Sequence, residues 1–292
     1  MKRLALVSVM TAFLLALAGC STTGALTPAP STTMVSEINQ QARAALPADV
    51  RKSGVLRVAT DATYAPNEFV DANDKPVGWE IELIKRVAVS LGLKAEVTQV
   101  TFDEIFGQLE SGQQDLGISS FFDNSTRHAI VDMVDYYTAG TQWGQRKGSS
   151  VDPNNACGLK IAVQKDSYQF DVDLPARSKT CVDNRRSAIK ILSYNTQDAA
   201  NEAVEFGQAA AFVSDSPVTQ FAVLKSGGTF TTAGDVYDTS LYGMPVKKGS
   251  KMVQALTLAL QDLMDKDTYR QILGSWGVQS GAISKVTVNA GK

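Results

Sequence analysis

The sequence has a single histidine, His128, and only three cysteines in 292 residues. So small a stock of imidazole and thiol excludes a zinc site, a haem protein or a histidine-dependent triad as the chain's main business. No excess of positive charge exists either. The 28 Lys and Arg stand against 30 Asp and Glu, a net of −2, which argues against nucleic acid as the principal partner. The Walker A pattern GxxxxGK[ST] is missing, so no P-loop cradles a nucleotide here. Beyond residue 20 no run is long and apolar enough to span a bilayer. What remains is a globular composition, 44% hydrophobic and 20% charged, in a length that suits one or two domains. No metal and no cofactor is expected.

The N-terminus reads as an address. Met1-Lys2-Arg3 is a short positive region, and Leu4 to Ala18 is an apolar stretch broken only by Ser8 and Thr11. Leu17-Ala18-Gly19-Cys20 resembles the bacterial lipobox, where a signal peptide (here 1–19) is cut and the cysteine thiol takes diacylglycerol, with palmitate-type acyl chains. The alternative is an ordinary signal peptide that contains a cysteine. Residues 21–36 are rich in Ser, Thr, Ala and Pro and carry no charge before Glu37, a tether composition, so 20–49 is read as lipidated Cys20 plus flexible tether. Losing Lys2 and Arg3 takes the basic count from 28 to 26 against 30 acidic, a net of −4. The body is then exported, soluble and held at the outer face of the cell membrane by its lipid. In that oxidising setting Cys157 and Cys181 are expected to form a disulfide; the alternative is two buried free thiols.

The body alternates strand and helix twice. Val55–Thr60, Ala95–Val100 and Leu116–Ser119 read as strands. Between them, Ile81, Ile84, Val87, Ala88 and Leu91 line one face of a helix over 80–91. Thr101 and Glu104 have the spacing of a capping box for a helix to about Ser111. A β-α-β-α-β run implies a parallel sheet. The pattern restarts with strands over 160–163, 189–194 and 210–213 and helices over 167–177 (shortened by Pro175), 196–206 and 216–226. A last strand over 242–246 and helices over 250–266 and 268–276 close it. Two such units imply a cleft at the C-terminal strand ends, which fall at Thr60-Asp61, Ser119-Ser120, Val163-Gln164 and Ser214-Asp215.

Gly54-Val55-Leu56-Arg57-Val58-Ala59-Thr60-Asp61-Ala62-Thr63-Tyr64-Ala65-Pro66 resembles the opening of extracellular solute-binding proteins, family 3, of polar amino-acid ABC transporters. Val77-Gly78-Trp79-Glu80-Ile81-Glu82-Leu83, Phe102-Asp103, Asp115-Leu116-Gly117-Ile118-Ser119-Ser120, Arg127, Val131-Asp132 and Tyr136-Tyr137 follow in order. So do Ile161-Ala162-Val163-Gln164, Ser214-Asp215-Ser216 and Asp267-Thr268-Tyr269, and the likeness covers about residues 50–280. The lipobox and the cysteine pair look most like the Gram-positive, actinobacterial branch.

The resemblance implies an α/β type II periplasmic-binding-protein fold: two Rossmann-like lobes joined by a two-strand hinge. Lobe 1 is placed at 50–139 plus 243–282, lobe 2 at 143–238, and a C-terminal tail at 283–292. It implies no enzyme, but a monomeric receptor. That receptor captures a polar amino acid and delivers it to a permease with a separate ATPase. Arg127 falls at the family's carboxylate position, helped by N–H groups near Ser119 and Ser120 and by Ser167 and Tyr168 at a helix start. Asp215 falls at the ammonium position, with N-capping as its alternative. Asp61 falls where the ligand side chain is met, or is a turn residue. Tyr64 and Phe102 fall on the aromatic walls, or in the core. Phe122 replaces a common Ser or Thr, Tyr168 a common Thr and Asp166 a common Gly. Asp61 favours a cationic or amide side chain, unless Lys165 or Arg185 turns inward; Glu68 is expected in solvent. Two alternatives remain: a dehydratase of cyclohexadienyl type using Asp61, Glu68 or His128, and a sensor that presents its ligand to a receptor.

Overall fold

The computed structural model describes residues 38–291. The leader, Cys20 and most of the expected tether lie outside the described residues. The tether's expected end at 49 is corrected, because helices begin sooner. Asn39 caps α1 (Gln40–Ala45), its side chain accepting from Ala42 N, and α2 (Ala48–Ser53) follows. Ala42, Leu46 and Val50 recur every four residues and are buried in the first core. Arg43 ties this segment down by donating to Leu91 O and Gly92 O at 3.1 and 2.7 Å.

Strand β1 (Val55–Thr60) leads into a small antiparallel sheet of β2 (Thr63–Tyr64), β3 (Glu68–Val70) and β4 (Pro76–Val77), which period-two patterning is too short to reveal. Gly78 (φ 125°) then turns the chain into α3 (Trp79–Ser90); a Cβ there would sit 2.2 Å from Asn67 O. The predicted face of α3 is buried, and so are Trp79 and Glu80. Next come β5 (Lys94–Gln99), α4 (Glu104–Ser111) and β6 (Leu116–Gly117), with parallel order β5-β1-β6. Only half the capping box forms. Thr101 N donates to Glu104 at 3.3 Å, while the Thr101 hydroxyl bonds Asp103.

After the short α5 (Ser125–His128) runs β7 (Val131–Arg146), 16 residues long. Then follow β8 (Lys160–Gln164), α6 (Leu174–Asp183), β9 (Lys190–Tyr194), α7 (Gln197–Glu205), β10 (Ala211–Asp215) and α8 (Ser216–Lys225). Pro175 opens α6 rather than shortening a helix. It sits in the first turn, where a missing N–H costs nothing, and a π-turn over Gln169–Asp173 precedes it. The 18-residue β11 (Phe230–Lys247) returns to lobe 1, and α9 (Met252–Asp265) and α10 (Thr268–Trp276) complete it. The second sheet has the order β11-β7-β10-β8-β9.

β7 and β11 pair antiparallel from Val131↔Lys247 to Arg146↔Phe230, so this one ribbon serves both lobes. The ladder shifts register between Ala233 and Tyr237, Tyr237 and Ser240, and Tyr242 and Gly243. The largest core draws on residues 42–139 and 242–286, and three smaller ones on 143–237, 162–230 and 59–133. Cys157 and Cys181 are bridged, with Cα atoms 5.5 Å apart, fastening the loop after β7 to α6. The tail expected over 283–292 is laid along β7: Val288 bridges Val134, and Asn289 Oδ1 accepts from Met133 N at 2.8 Å. Among the described residues no helix is long and apolar enough to cross a membrane.

Candidate functional site

A cleft opens between the C-terminal ends of β1, β8 and β10 and the loop after β6. The ten residues singled out from the sequence all line it. Asp61, Tyr64, Phe102, Ser119, Ser120, Phe122 and Arg127 come from lobe 1, and Ser167, Tyr168 and Asp215 from lobe 2. Glu68, Gln164, Lys165 and Gln169 join them.

Arg127 projects from α5, whose Asn124 cap accepts from Arg127 N at 3.0 Å. One guanidinium nitrogen donates to Phe122 O at 2.6 Å, which fixes the fork. The guanidinium carbon lies 5.2 Å from the Phe121 ring centre and 5.9 Å from that of Phe102. Phe102 is thus both wall and packing residue, stacked on Phe121 at 4.4 Å. Burial pushes the arginine's pKa down to about 10, against the pull of Asp215, Asp171 and Asp123, so it stays charged at neutral pH.

Asp215 occupies the N-cap position of α8 but makes no capping bond. Its carboxylate turns to the cleft instead. Gln169 Nε2 donates to Oδ1 at 2.7 Å and Tyr242 Oη donates to Oδ2 at 2.5 Å. Burial still pushes its pKa up to about 7, with Glu80 adding to that and both bonds and Arg127 opposing it. An ammonium arriving here would find a dry, oriented carboxylate. The backbone N of Asp215 donates across the cleft to Tyr64 Oη at 2.9 Å, and Gln164 Nε2 donates to Thr63 Oγ1 at 3.0 Å. Two hydrogen bonds therefore join the lobes beside the site.

Asp61 is half-buried, and burial raises its pKa. It also starts a turn, Thr63 N donating to Asp61 O at 2.8 Å. Glu68 corrects the expectation of a solvent position. It is 1% exposed and accepts from Ser119 Oγ at 3.2 Å, and burial followed by repulsion from Glu80 holds it well above the carboxylate range. Ser120, in a left-handed conformation (φ 52°), is also corrected. Its N–H donates to Glu80 at 3.2 Å and is not offered to a ligand. The N–H groups of Ser167 and Tyr168 open the turn in which Ser167 O accepts from Phe170 N and Asp171 N, so they are placed as donors at its start.

The departures from the family pattern have physical accounts. Phe122 and Tyr168 meet edge to face at 5.5 Å and close one side of the cleft. Asp166 takes the left-handed conformation (φ 62°) that glycine favours, and its carboxylate turns to Lys165 at 3.5 Å, away from repulsion. Lys165 does reach the cleft, with its side chain 55% exposed, so it stands at the mouth. Arg185 is exposed and does not line the cleft. Neither does His128, which is held by the buried Asp123. Gln164, Gln169 and Tyr242 escaped sequence reasoning. Gln164 alone lay in view, at a predicted strand end. Gln164 Oε1 is buried with no partner among the described residues. Among those residues no group of three or more His, Cys, Asp or Glu is arranged to hold a metal ion.

The family model "Bacterial extracellular solute-binding proteins, family 3" matches residues 56–279. The chain is 32% identical over 249 residues to "Arginine-binding protein ArgT" of Corynebacterium glutamicum, spanning 85% of this chain and 82% of that one. It resembles the structure of an ancestral arginine-binding protein bound to arginine, with a TM-score of 0.69 and 29% identity over 76% of this chain and 98% of that one. An ancestral amino acid-binding protein described as a precursor of cyclohexadienyl dehydratase gives a TM-score of 0.67 and 27% identity, over 78% and 97%. Two α/β lobes share a hinge ribbon, a cleft lies at their strand ends, and the family model spans most of the chain: this protein belongs to the bacterial extracellular solute-binding proteins, family 3, and has the type II periplasmic-binding-protein fold.

Proposed function

We propose that this protein is the substrate-binding lipoprotein of an ABC importer and captures a cationic amino acid of the arginine type. The observation that carries the reading is the charge layout of one cleft. Arg127 on lobe 1 faces Asp215 on lobe 2, and the further carboxyls Asp61 and Glu68 stand on lobe 1. The first two suit the carboxylate and ammonium that every amino acid has, and the second two suit a cation beyond them. The arginine-binding relatives support the choice of side chain. Lobe 1 (50–139 plus 243–282) and lobe 2 (143–238) close over the ligand by bending near 139–143 and 238–243. Cys20 anchors the chain at the extracellular membrane face, and the closed monomer docks on a permease with its own ATPase.

The test is a thermal-shift screen of purified protein stripped of ligand by partial unfolding and refolding. A ligand specific to the folded state adds about 2.7 kcal/mol at a hundredfold excess over its Kd. Arginine, lysine or histidine raising the melting temperature supports the reading; a response confined to acidic amino acids overturns the cationic assignment. A second reading, an enzyme acting on a cyclohexadienyl acid, draws on the buried acid Glu68 at the cleft. Product formed from such an acid would replace the transport reading.

A further inference from the structure

We propose that the empty cleft holds one proton between Glu68 and Glu80, and that a cationic side chain gains entry by displacing it. This rests on the amino-acid reading above. Glu68 on β3 and Glu80 on α3 are 1% and 0% exposed. Both converge on one hydroxyl, Ser120 Oγ, which lies 3.2 Å from Glu68 Oε2 and 2.9 Å from Glu80 Oε1. The two carboxyls also lie within mutual reach, close enough to share a hydrogen bond when one of them is protonated.

Among the described residues the groups that bond the pair or crowd it are neutral or acidic; the cations Arg127 and Lys165 line the same cleft but bond neither glutamate. Ser119, Ser120 and Tyr136 Oη (2.6 Å from Glu80 Oε1) are neutral donors. Asp61 at the end of β1 and Tyr64 on β2 flank Glu68, and Asp215 on β10 and Tyr242 on β11 feel the charge of Glu80. Among the described residues no Lys, Arg or His forms an ion pair with either glutamate. Two buried like charges this close cannot both persist without a cation, so one proton stays.

Glu68 lines the cleft and Glu80 lies behind it. A guanidinium that reaches Glu68 brings the missing positive charge. Glu68 then loses its O–H proton to solvent, both carboxylates are ionised, and one cation has replaced one proton. A neutral amide or urea side chain brings no charge and leaves the proton in place. Glu80 thereby sets specificity without touching the ligand.

Calorimetry with arginine and with citrulline, its neutral isostere, in two buffers of different ionisation heat tests this on the full chain. Both ligands carry the same ammonium, so any proton lost from Asp215 cancels in the difference. Arginine is expected to release about one proton more than citrulline, and its affinity advantage to grow by up to about tenfold per pH unit while the pair is protonated. Glu68→Gln abolishes both effects. Equal proton release by the two ligands overturns the inference and leaves the reading intact. Carboxyl carbon NMR of the ligand-free protein gives a readout that needs no binding. One protonated glutamate is expected at neutral pH, absent in Glu68→Gln or Glu80→Gln. Two ionised glutamates refute the shared proton outright. A protonated pair with no response to arginine or any other amino acid overturns the reading and the displacement together.

Discussion

Removing one oxygen from Tyr64 separates the cost of closing the cleft from the cost of holding a ligand. Tyr64 Oη on lobe 1 accepts from Asp215 N on lobe 2 at 2.9 Å, and Asp215 is 3% exposed. In Tyr64→Phe the ring still fills its place, but that N–H is left in a dry cleft without a partner. An orphaned buried donor costs about 1–3 kcal/mol. In an opened cleft water satisfies the same N–H, so the cost falls on closure alone. Every ligand that requires closure then loses affinity by the same factor, about 5- to 150-fold. Titration calorimetry with arginine and citrulline measures it. Equal loss for both supports a role in closure. Unchanged affinity refutes the reasoning, and loss confined to one ligand assigns Tyr64 to the side-chain pocket instead.

Arg127→Ala is expected to weaken amino-acid binding by about 2–5 kcal/mol, because a buried carboxylate loses its fork. Arg127→Lys should recover part of this, and wild-type affinity in either variant would remove Arg127 from the site. Asp215→Asn should abolish the preference for amino acids over des-amino analogues while stabilising the empty protein. The folded-state pKa of Asp215 is raised to about 7, so the wild type holds this proton more tightly than the unfolded chain does. Stability is therefore lost as pH rises from about 4 to about 7. The variant's gain in melting temperature should be larger at pH 8 than at pH 5, and an equal gain at both would contradict the assignment. Replacing Cys157 and Cys181 by serine opens a loop with a sequence separation of 24 and should cost on the order of 3 kcal/mol. A melt unchanged by reducing agent would show that the bridge contributes nothing.

The strand ends were legible because each carries its polar residue at a fixed place in an alternating pattern, and Asp61, Ser119 and Asp215 meet at the cleft for that reason. The fate of Glu68 was not legible. Burial of an acid depends on what covers it, and its partners Ser120 and Glu80 are brought to it by a turn and a helix start. Gln169 was hidden by the π-turn, since Pro175 read as a helix breaker where it is a helix opener. The helices over 40–53 carry apolar four-residue spacing at Ala42, Leu46 and Val50, but they follow a charge-free linker and are separated by Pro47, which gives the stretch the look of a tether. The tail along β7 has no signature of its own: Asn289 and Gly291 dock through single bonds to Met133 N and Asp123.

The slipped rungs of the β7–β11 ribbon carry a mechanical consequence. All three irregularities fall between Ala233 and Gly243, in the stretch that joins the lobes. A ribbon whose rungs are interrupted three times there has a low bending stiffness, because fewer ladder bonds resist rotation. The open and closed shapes then differ in energy mainly through what meets across the cleft, and the Tyr64–Asp215 and Thr63–Gln164 bonds contribute only a few kcal/mol to that balance. So small a bias lets one modest ligand decide the shape. Deleting an inserted residue to restore an even ladder would raise the stiffness and turn a switch into a fixed cup, slow to fill and slow to empty.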